Sequence, residues 1–417
     1  MSTKKSKGFS KINLIRLGLF SITGIIVISV ATVLGLFASG YRFSKDTGLS
    51  PHGLLAIKSQ PTGAQVFVNG EVKSATDDTI PLVPGNYDIE VRKDGFMTWS
   101  KRLTLEAEIV TEVKAQLFKL APSLTAATLT GALNPTPSRD FTKIAYAIPP
   151  QTSIVNPAND KNGLWIFETI NLPVGFSREP RKITDGDLTN STWIWSPDGR
   201  EILLTTPKGA YLINSQSFTP QNERINITIQ KELILKEWET DWAKIINSQK
   251  EELPDELAEI LNDKASQVLF SPDNDMVMYL ASGSATIKDN LVKPFPGSST
   301  QKQDRNIKTN HTYVYDIEED RNYLIDDTSE GLIIEGGYSD TNNTKRASWF
   351  PTSRNIILAD RDKVVIMDYD GTNRQTVYSG NYILPYAFPT VSDDRLILLT
   401  NFGATDTYPN LYSVSLR

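Results

Sequence analysis

Cysteine is absent from the 417 residues of the chain, and histidine occurs only twice, as His52 and His311. Without thiols the chain has no disulfide framework, no cysteine nucleophile and no zinc site built on thiolates. Two histidines also leave little scope for histidine-based acid–base or metal chemistry. We expect both to be structural, His52 in a tether and His311 at the start of a strand.

Motifs of the common enzyme classes are missing as well. The sequence has no G-x-S-x-G nucleophile elbow, P-loop, G-x-G-x-x-G dinucleotide motif or H-E-x-x-H zinc motif. A carboxylate pair for glycoside hydrolysis stays open, because nothing singles out a pair among the 49 acidic residues. We therefore predict no catalytic residue, no metal site and no cofactor.

Acidic side chains outnumber basic ones beyond the first 50 residues. Those residues hold seven Lys and Arg against one Asp, a balance of +6, whereas the whole chain carries −6. The remaining 367 residues therefore carry −12, the difference between −6 and +6. Binding to a phosphate backbone depends on clustered Lys and Arg, so we expect no nucleic-acid partner.

One long uncharged run explains the basic end of the chain. Residues 17–38 contain no charged side chain over 22 positions, and a helix of this length crosses a hydrocarbon layer of roughly 30 Å. Five basic residues precede the run, so the positive-inside rule puts the N-terminus in the cytoplasm. We predict a basic tail at 1–16, an uncleaved transmembrane helix at 17–39 and a tether at 40–52. The alternative is a signal peptide cleaved near Ala38-Ser39-Gly40.

Apolar and polar residues alternate with period two between residues 53 and 118. Turn signals separate the apolar segments: Pro61-Thr62-Gly63-Ala64, Asn69-Gly70, Pro84-Gly85-x-Tyr87 and Lys93-x-Gly95-Phe96. This pattern predicts an antiparallel sandwich of six to seven strands. The motifs, in this order, resemble the PEGA domain, with Thr62 where the name-giving motif of that family has Glu. The resemblance implies a non-enzymatic module of bacterial or archaeal surface proteins.

One turn motif recurs through residues 120–417. Its clearest copy is Trp195-Ser196-Pro197-Asp198-Gly199, which precedes an apolar strand pattern at 201–205. Proline and glycine suit the turn positions and Asp198 can bond its own backbone, so we interpret Asp198 as a turn residue. Related copies occur at Ser138, Phe270, Phe350 and, in degenerate form, Ser392.

A second apolar strand follows each copy, as in Val364-Val365-Ile366-Met367-Asp368. The shortest repeat spans about 42 residues, which is typical of one four-stranded propeller blade. The arrangement resembles TolB-type and WD40-like β-propellers. We predict an all-β fold whose propeller has five blades, or six if residues 331–337 hold an eroded one. Residues 124–129 would close the ring beside the C-terminal strand.

Two insertions interrupt the repeats. Residues 229–265 change to helical spacing, with apolar stripes at Ile234, Trp238, Trp242 and Ile245 and at Leu253, Leu257, Ile260 and Leu261. We expect a helical hairpin on the propeller rim. Residues 284–310 are rich in Pro, Ser, Gln and Lys and predict a mobile or wrapped loop.

Trp238 and Trp242 are the candidate partner-binding residues. Aromatic side chains anchor protein interfaces, and both tryptophans lie in an insertion rather than in a repeated element. Packing of the helix against a blade would explain them as well.

Two acidic segments, Asp368–Asn373 and Thr184–Asp187, have side-chain oxygens at alternate positions, as a calcium site requires. Each also contains the glycine of a tight turn, and neither has the spacing of an EF-hand loop. We favour turns for both.

Together these features predict a single-pass bacterial envelope protein whose sandwich and propeller lie outside the cell membrane. The favoured function is non-catalytic binding or scaffolding, with a protein or a cell-wall polymer as partner. Two alternatives stay open. One is a structural surface-layer or spacer protein, and the other is a propeller enzyme, a glycosidase or lyase that uses channel carboxylates.

Overall fold

The structure, a computed structural model, describes residues 11–38, 41–44, 48–150, 161–170, 179–293, 299–329, 332–334, 345–404 and 407–417. Two compact units divide the chain. The first holds Met1–Val91, Arg102–Ala115 and Pro296–Thr300, and the second holds Arg92–Lys101, Gln116–Phe295 and Gln301–Arg417.

The N-terminal helix α1 extends over Lys11–Ala38. Its segment Gly18–Phe37 has a mean hydropathy of 2.4 over 20 residues and is long and apolar enough to cross a membrane. Two short strands follow, β1 (Tyr41–Ser44) and β2 (Gly48–Pro51), and they pair antiparallel. This hairpin lies in the segment that the sequence predicted to be a tether.

Seven strands follow in the region predicted to form a sandwich: β3 (Gly53–Gln60), β4 (Gln65–Val68), β5 (Glu71–Ala75), β6 (Asp78–Leu82), β7 (Gly85–Arg92), β8 (Trp99–Leu105) and β9 (Val110–Gln116). They form two sheets, with strand orders β6-β3-β9 and β5-β4-β7-β8. Leu55 and Ile57 of β3 are fully buried, while their neighbours along the strand are half-buried or exposed. This alternation is the period-two pattern of the sequence. Strand β8 is divided between the two units, with its first three residues in the second and the rest in the first.

The second unit begins with eight strands: β10 (Ser123–Ala126), β11 (Leu133–Pro137), β12 (Lys143–Ile148), β13 (Gly163–Glu168), β14 (Arg181–Thr184), β15 (Thr192–Trp195), β16 (Glu201–Thr206) and β17 (Gly209–Asn214). Two helices follow, α2 (Lys231–Lys250) and α3 (Asp255–Lys264). The remaining strands are β18 (Ala265–Phe270), β19 (Met276–Ala281), β20 (Ala285–Thr286), β21 (Asn306–Ile307), β22 (Thr312–Asp316), β23 (Arg321–Asp326), β24 (Leu332–Ile334), β25 (Lys345–Trp349), β26 (Asn355–Asp360), β27 (Lys363–Asp368), β28 (Gln375–Ser379), β29 (Ala387–Pro389), β30 (Arg395–Thr400) and β31 (Asn410–Ser415).

These strands form five separate sheets and the short pair β20–β21. We number the sheets by strand order: sheet 1 is β10-β31-β30-β29, sheet 2 is β11-β12-β13-β14, sheet 3 is β15-β16-β17, sheet 4 is β18-β19-β22-β23 and sheet 5 is β24-β25-β26-β27-β28. Strand β26 has five buried residues out of six, and β30 has five out of six. Both faces of these strands are covered, which explains the continuous apolar runs in the sequence.

Shared clusters of buried side chains join neighbouring sheets. Sheet 1 packs with sheet 2, sheet 2 with sheet 3, sheet 4 with sheet 5, and sheet 5 with sheet 1. Sheets 3 and 4 are joined differently, because α2 contributes Trp238 to a cluster with sheet 3 and Ile246 to a cluster with sheet 4 and α3. The helical insertion therefore occupies the one junction where two consecutive sheets share no cluster among the described residues.

The helices occur where the sequence predicted them, with one shift in the apolar stripe of α2. Ile246 is buried, whereas the predicted Ile245 is 38% exposed. The stripe bends because α2 packs against sheet 3 with its first half and against sheet 4 with its second. In α3, Leu257 and Leu261 are buried as predicted.

Strand β10 pairs antiparallel with the C-terminal strand β31, from Ser123 opposite Ser415 to Ala126 opposite Tyr412. The pairing expected for residues 124–129 is therefore present at 124–126. In the range considered for a sixth blade, Leu332–Ile334 pairs parallel with β25 and joins sheet 5, and residues 335–344 lie outside the described residues. The number of blades and the closure of a ring stay predictions.

Candidate functional site: a cavity lined by five hairpin turns

The turn between β15 and β16 shows why the chain reverses there. Ser196 N–H donates to Glu201 O at 2.9 Å, and Glu201 N–H donates to Ser196 Oγ at 2.9 Å. The Ser196 hydroxyl donates to Asp198 Oδ1 at 2.7 Å, and Gly199 has a φ of 65°. Asp198 therefore acts within its own turn, as the sequence predicted.

The same six-residue turn occurs in all five sheets. In each, the N–H of the first residue donates to the carbonyl of the sixth, as Ser138 does to Lys143, Ser271 to Met276, Phe350 to Asn355 and Thr390 to Arg395. The fourth residue has a positive φ in every copy: Phe141 (54°), Gly199 (65°), Asn274 (65°), Ser353 (62°) and Asp393 (49°). All five turns thus adopt one backbone geometry, including the fifth, which has lost the Ser-Pro-Asp of the clearest copies.

The structure corrects the predicted alignment of two copies. Thr390 is the first residue of the fifth turn, so Ser392 takes the third position, which Asp198 holds in the second turn. In the fourth copy Phe350 takes the first position. Trp349 corresponds to Trp195, because each ends its strand directly before the turn.

The second residues of all five turns line one cavity of about 560 Å³: Arg139, Pro197, Pro272, Pro351 and Val391. Side chains from the ends of the preceding strands complete its apolar surface, among them Leu269, Phe270 and Trp349. A mainly apolar cavity of a few hundred Å³ with a small number of polar groups is typical of a binding site. This cavity is the candidate functional site.

Two equivalent tryptophans hold neighbouring turns in register around the cavity. Trp195 Nε1 donates to Thr136 O in sheet 2 at 2.9 Å, and Trp349 Nε1 donates to Leu269 O in sheet 4 at 3.1 Å. Each bond links the strands that precede the turns in two adjacent sheets. The cavity wall is therefore fixed by side-chain-to-backbone hydrogen bonds as well as by apolar packing.

Helix α2 contacts two of the turns. Gln249 Nε2 donates to Asn274 Oδ1 at 2.6 Å, and Gln249 itself lines the cavity. The guanidinium carbon of Arg139 lies 3.2 Å from the centroid of the Trp242 ring, a stacked cation–π arrangement. The insertion therefore supports one side of the cavity.

Trp238 and Trp242, the predicted partner-binding pair, have different surroundings. Trp238 is 8% exposed and packs against Leu203 and Ala210 of sheet 3. Trp242 is half-buried, packs against the cluster of sheet 4 and carries Arg139 on its ring. Partner binding by this pair stays a prediction. Because Trp238 is buried, a partner could contact only the exposed part of Trp242 and the Arg139 side chain stacked on it.

Hydrogen bonds within the turns lower the pKa of two carboxyls that line the cavity. The Ser196 hydroxyl is the main cause of the lowered pKa of Asp198. Burial would raise the pKa of Asp140, but hydrogen bonds from Ser138 and Thr142 outweigh it and lower that pKa. Both carboxylates are therefore ionised at neutral pH, and each uses Oδ1 inside its turn.

A second polar feature of this unit is a buried cluster around Lys101. Its Nζ lies 2.8 Å from Asp370 Oδ2 and 4.0 Å from Asp368 Oδ2, and the side chains of Lys101, Asp370 and Asp368 are 8%, 0% and 8% exposed. Nζ also lies 4.6 Å from the centroid of the Tyr369 ring. Burial would lower the pKa of Lys101, but the two carboxylates outweigh it and raise that pKa.

Sequence reasoning missed this cluster, although period-two alternation puts Lys101 on the same side of β8 as the buried Trp99, Leu103 and Leu105. A second signal was the Asp-x-Asp at 368–370, which follows an apolar strand and needs a cation if it is buried. Burial raises the pKa of Asp368 to about 6, although Lys101 acts in the opposite direction. The cluster is an internal ion pair rather than an open site.

The segment Asp368–Asn373 forms the favoured turn. Gly371 N–H donates to Asp368 O at 2.9 Å, and Gly371 has a φ of 77°. Trp99 Nε1 and Asn355 Nδ2 each donate to the Asp368 carboxylate at 2.9 Å. Protein donors therefore use the oxygens that the calcium interpretation required.

The second acidic segment is also a turn, with Gly186 at a φ of 101°. Asp185 Oδ1 accepts from Gln221 N–H at 2.6 Å, and Asp187 Oδ1 accepts from Thr189 N–H at 3.0 Å. Within the described part of the chain, no group of three or more His, Asp or Glu side chains is arranged to hold a metal ion.

The histidines differ from each other in their surroundings. His311 is half-buried directly before β22, as expected, with Nδ1 3.0 Å from Thr309 O. His52 is 8% exposed, so it belongs to the folded core region and not to an exposed tether.

Comparison with known proteins identifies one domain. Residues 52–120 match the family model of the PEGA domain. This match confirms the resemblance stated for residues 53–118. A search of curated proteins finds no match for the chain.

Solved structures that resemble the chain include two TolB proteins. A putative TolB from Agrobacterium tumefaciens has 13% identity and a TM-score of 0.21, and the match covers 67% of this chain and 73% of that one. TolB from Acinetobacter baumannii has 12% identity and a TM-score of 0.19, and the match covers 79% of this chain and 59% of that one. Only the sheets and turns of the chain itself therefore support a propeller.

Proposed function

We propose that this protein is a non-catalytic binding or scaffold protein of the bacterial envelope, and that its partner occupies the cavity lined by the five turns. The observation that carries the proposal is the convergence of five equivalent turn residues on one cavity of about 560 Å³. A concave, mainly apolar surface of this size with a few polar groups is typical of a binding site.

The five sheets are the blades of a propeller in this proposal. Shared buried clusters between consecutive sheets, the helical insertion between sheets 3 and 4, and the pairing of β10 with β31 support it. Pairing of an early strand with the last strand is a common way to join the ends of a propeller. Five sheets support five blades.

Helix α1 anchors the chain in the membrane in this proposal, with the N-terminus in the cytoplasm and the residues after about Gly40 outside. The apolar segment Gly18–Phe37 and the basic residues before it support this orientation. A PEGA domain directly after the helix fits a surface protein, which is what the family resemblance implies.

The orientation can be tested by cysteine labelling, because the natural chain has no cysteine. Ser217 is exposed in the second unit and Ser6 precedes the helix. In intact cells a membrane-impermeant maleimide is expected to label Ser217→Cys and not Ser6→Cys, whereas both react after lysis. Labelling of Ser6→Cys alone in intact cells would reverse the proposed topology.

Occupancy of the cavity can be tested by photocrosslinking in cells. Val391 lines the cavity and is 37% exposed, and Val72 is a 59% exposed valine of the first unit that serves as matched control. With a photoreactive benzoyl-phenylalanine at either position of the anchored chain, we expect a discrete crosslinked species from position 391 only. The same pattern from both positions, or none from 391, would contradict a partner in the cavity.

A further inference from the structure

The buried cluster around Lys101 brings an amine against a carboxyl group where water has little access. Lys101 Nζ lies 2.8 Å from Asp370 Oδ2, and the Asp370 side chain is fully buried. That oxygen receives no hydrogen bond of normal geometry among the described residues, so the nitrogen is not oriented as in a hydrogen-bonded ion pair. A lysine amine in a desolvated site can act as a nucleophile toward a carbonyl carbon.

Neighbouring residues hold this contact in place. Ser100 N–H donates to Asn373 Oδ1, and Asn373 Nδ2 donates to Ser100 O, both at 3.0 Å. Trp99 Nε1 donates to Asp368 Oδ2 at 2.9 Å. The chain directly before the lysine is thereby fixed to the turn that carries the aspartate. Two reacting groups held in this way need no bimolecular encounter.

The other oxygen of Asp370 is prepared to take up negative charge. Asp370 Oδ1 accepts from Thr372 N–H at 3.1 Å and from the Thr372 hydroxyl at 2.6 Å. Two donors on one carboxyl oxygen polarise the carbonyl group and stabilise the oxyanion that forms when an amine adds to its carbon. Oδ2, which faces the amine, is then the oxygen that leaves.

Asp368 is placed to relay protons in this cluster. Its Oδ2 lies 4.0 Å from Lys101 Nζ, and burial raises its pKa to about 6. A pKa near the working pH suits a group that must both take up and release a proton. Asn355 Nδ2 and Asn373 Nδ2 each donate to the Asp368 carboxylate at 2.9 Å, so it keeps partners when the lysine loses its charge.

We propose that Lys101 and Asp370 form an intramolecular isopeptide bond. The ion pair is the state before the reaction, with Nζ protonated. One proton moves from Nζ to Asp370 Oδ2, and the lone pair of the nitrogen then forms a bond to Asp370 Cγ. Asp368 takes a second proton from the nitrogen and passes it to Oδ2, which leaves as water. One amide and one water molecule result, and the reaction needs no oxidant or further reactant.

Burial favours the amide over the ion pair. Two charges withdrawn from water carry a desolvation cost that their attraction offsets only in part, whereas an amide is neutral. The bond joins the segment Arg92–Lys101 to the turn after β27, and both belong to the second unit. A cross-link between residues far apart in the chain restricts the unfolded state, so the bond adds to the stability that the ion pair provides.

The test is the intact mass of the natural full chain, purified in detergent and then fully denatured. We expect a mass lower than that of the sequence by one water molecule. After digestion with trypsin we expect no cleavage at Lys101 and a branched peptide that joins residues 94–102 to residues 364–374. Fragmentation of this peptide should place the branch on Asp370.

Two variants with the same substitution give the control. Lys101→Arg keeps a positive charge but has no amine that can form the bond, so we expect it to have the full mass. Lys345→Arg makes the same change in a hydrogen-bonded ion pair, where Lys345 Nζ lies 3.4 Å from Asp326 Oδ1 and donates to Thr328 O at 3.1 Å. This variant should lose water as the natural chain does.

A third variant tests the relay. Asp368→Asn keeps an oxygen that can accept hydrogen bonds but removes the group that takes up the proton. We expect the bond to form about 10²–10⁴-fold more slowly in pulse-labelled chain, the range for loss of a general acid–base group. An unchanged rate would contradict the role assigned to Asp368.

The natural chain decides the proposal without any substitution. A full mass together with cleavage at Lys101 would overturn it, and so would a loss of water that persists in Lys101→Arg. A branch on Asp368 would overturn the assignment of acceptor and relay. None of these results bears on the partner of the cavity, which the crosslink from position 391 tests separately.

Discussion

Replacing Lys101 by alanine is expected to destabilise the protein by about 3–5 kcal/mol, the range for breaking a buried ion pair from one side. The substitution leaves Asp370 and Asp368 buried, with side chains 0% and 8% exposed, and removes the ammonium group that lies 2.8 Å from Asp370 Oδ2. A buried carboxylate without a partner must either stay charged in an apolar surrounding or take up a proton, and both cost free energy.

The measurement is urea unfolding of the solubilised chain at pH 7.5, with Lys114→Ala as matched control. Lys114 pairs with Glu112 at 3.4 Å with both side chains well exposed, so its loss is expected to cost about 1 kcal/mol or less. The double variant Lys101→Met with Asp370→Asn removes charge from both sides and should recover part of the loss. Equal effects of Lys101→Ala and Lys114→Ala would contradict the role assigned to the cluster.

The second large effect concerns Asp316, a 3% exposed carboxyl at the end of β22. Burial is the main cause that raises its pKa to about 7, and the charges of Glu319 and Glu318 add to it, while Arg354 and a hydrogen bond from the backbone of Glu319 act in the opposite direction. The folded state therefore binds a proton more tightly than the unfolded chain, in which the ordinary aspartate pKa applies.

The sign of the effect follows from this difference. Between about pH 4 and pH 7 the folded protein holds more protons, so its free energy of unfolding falls as the pH rises. Asp316→Asn removes the titration and keeps an oxygen that can accept from Glu319 N–H, the bond that Asp316 makes at 2.9 Å. We expect the variant to be more stable than the natural chain at pH 8 by up to about 4 kcal/mol, at 1.36 kcal/mol for each pH unit.

Urea unfolding at pH 4.5, 6 and 8 measures this dependence. The variant should keep part of the fall in unfolding free energy with rising pH, because burial raises the pKa of Asp368 to about 6 as well. Asp263→Asn, at an exposed position of α3, is the control and should follow the natural chain at every pH. An unchanged slope in Asp316→Asn would show that Asp316 does not titrate in this range.

Much of the secondary structure could be predicted because its signals are local. The turn at Ser196 and Gly199 contains the residues that its own backbone requires, and the helix at 231–250 has its apolar spacing within one segment. The PEGA domain was recognisable for the same reason, since its turn motifs occur in a fixed order. Errors arose where a motif had lost its marker residues, as in the fifth copy, where Thr390 rather than Ser392 begins the turn.

The candidate site could not be predicted in the same way. The second turn position holds proline in three turns but Arg139 and Val391 in the other two, and only their equivalent backbone position brings these residues to one cavity. The partners of α2 were hidden for a similar reason, because its two halves pack against two different sheets, 3 and 4. Asp198 acts within its turn, as predicted, whereas the neighbouring Pro197 holds the turn position that lines the cavity in all five sheets.

The sequence by itself determined the strands, the turns, the helical insertion and the apolar segment that can cross a membrane, because each depends on residues within one short stretch. The tertiary structure alone decided that five turns line one cavity, that α2 joins sheets 3 and 4, and that Lys101 lies between Asp368 and Asp370. Lys101 is separated from those carboxylates by more than 260 residues of chain. Contacts of this kind depend on how sheets pack, which no local pattern of residues encodes.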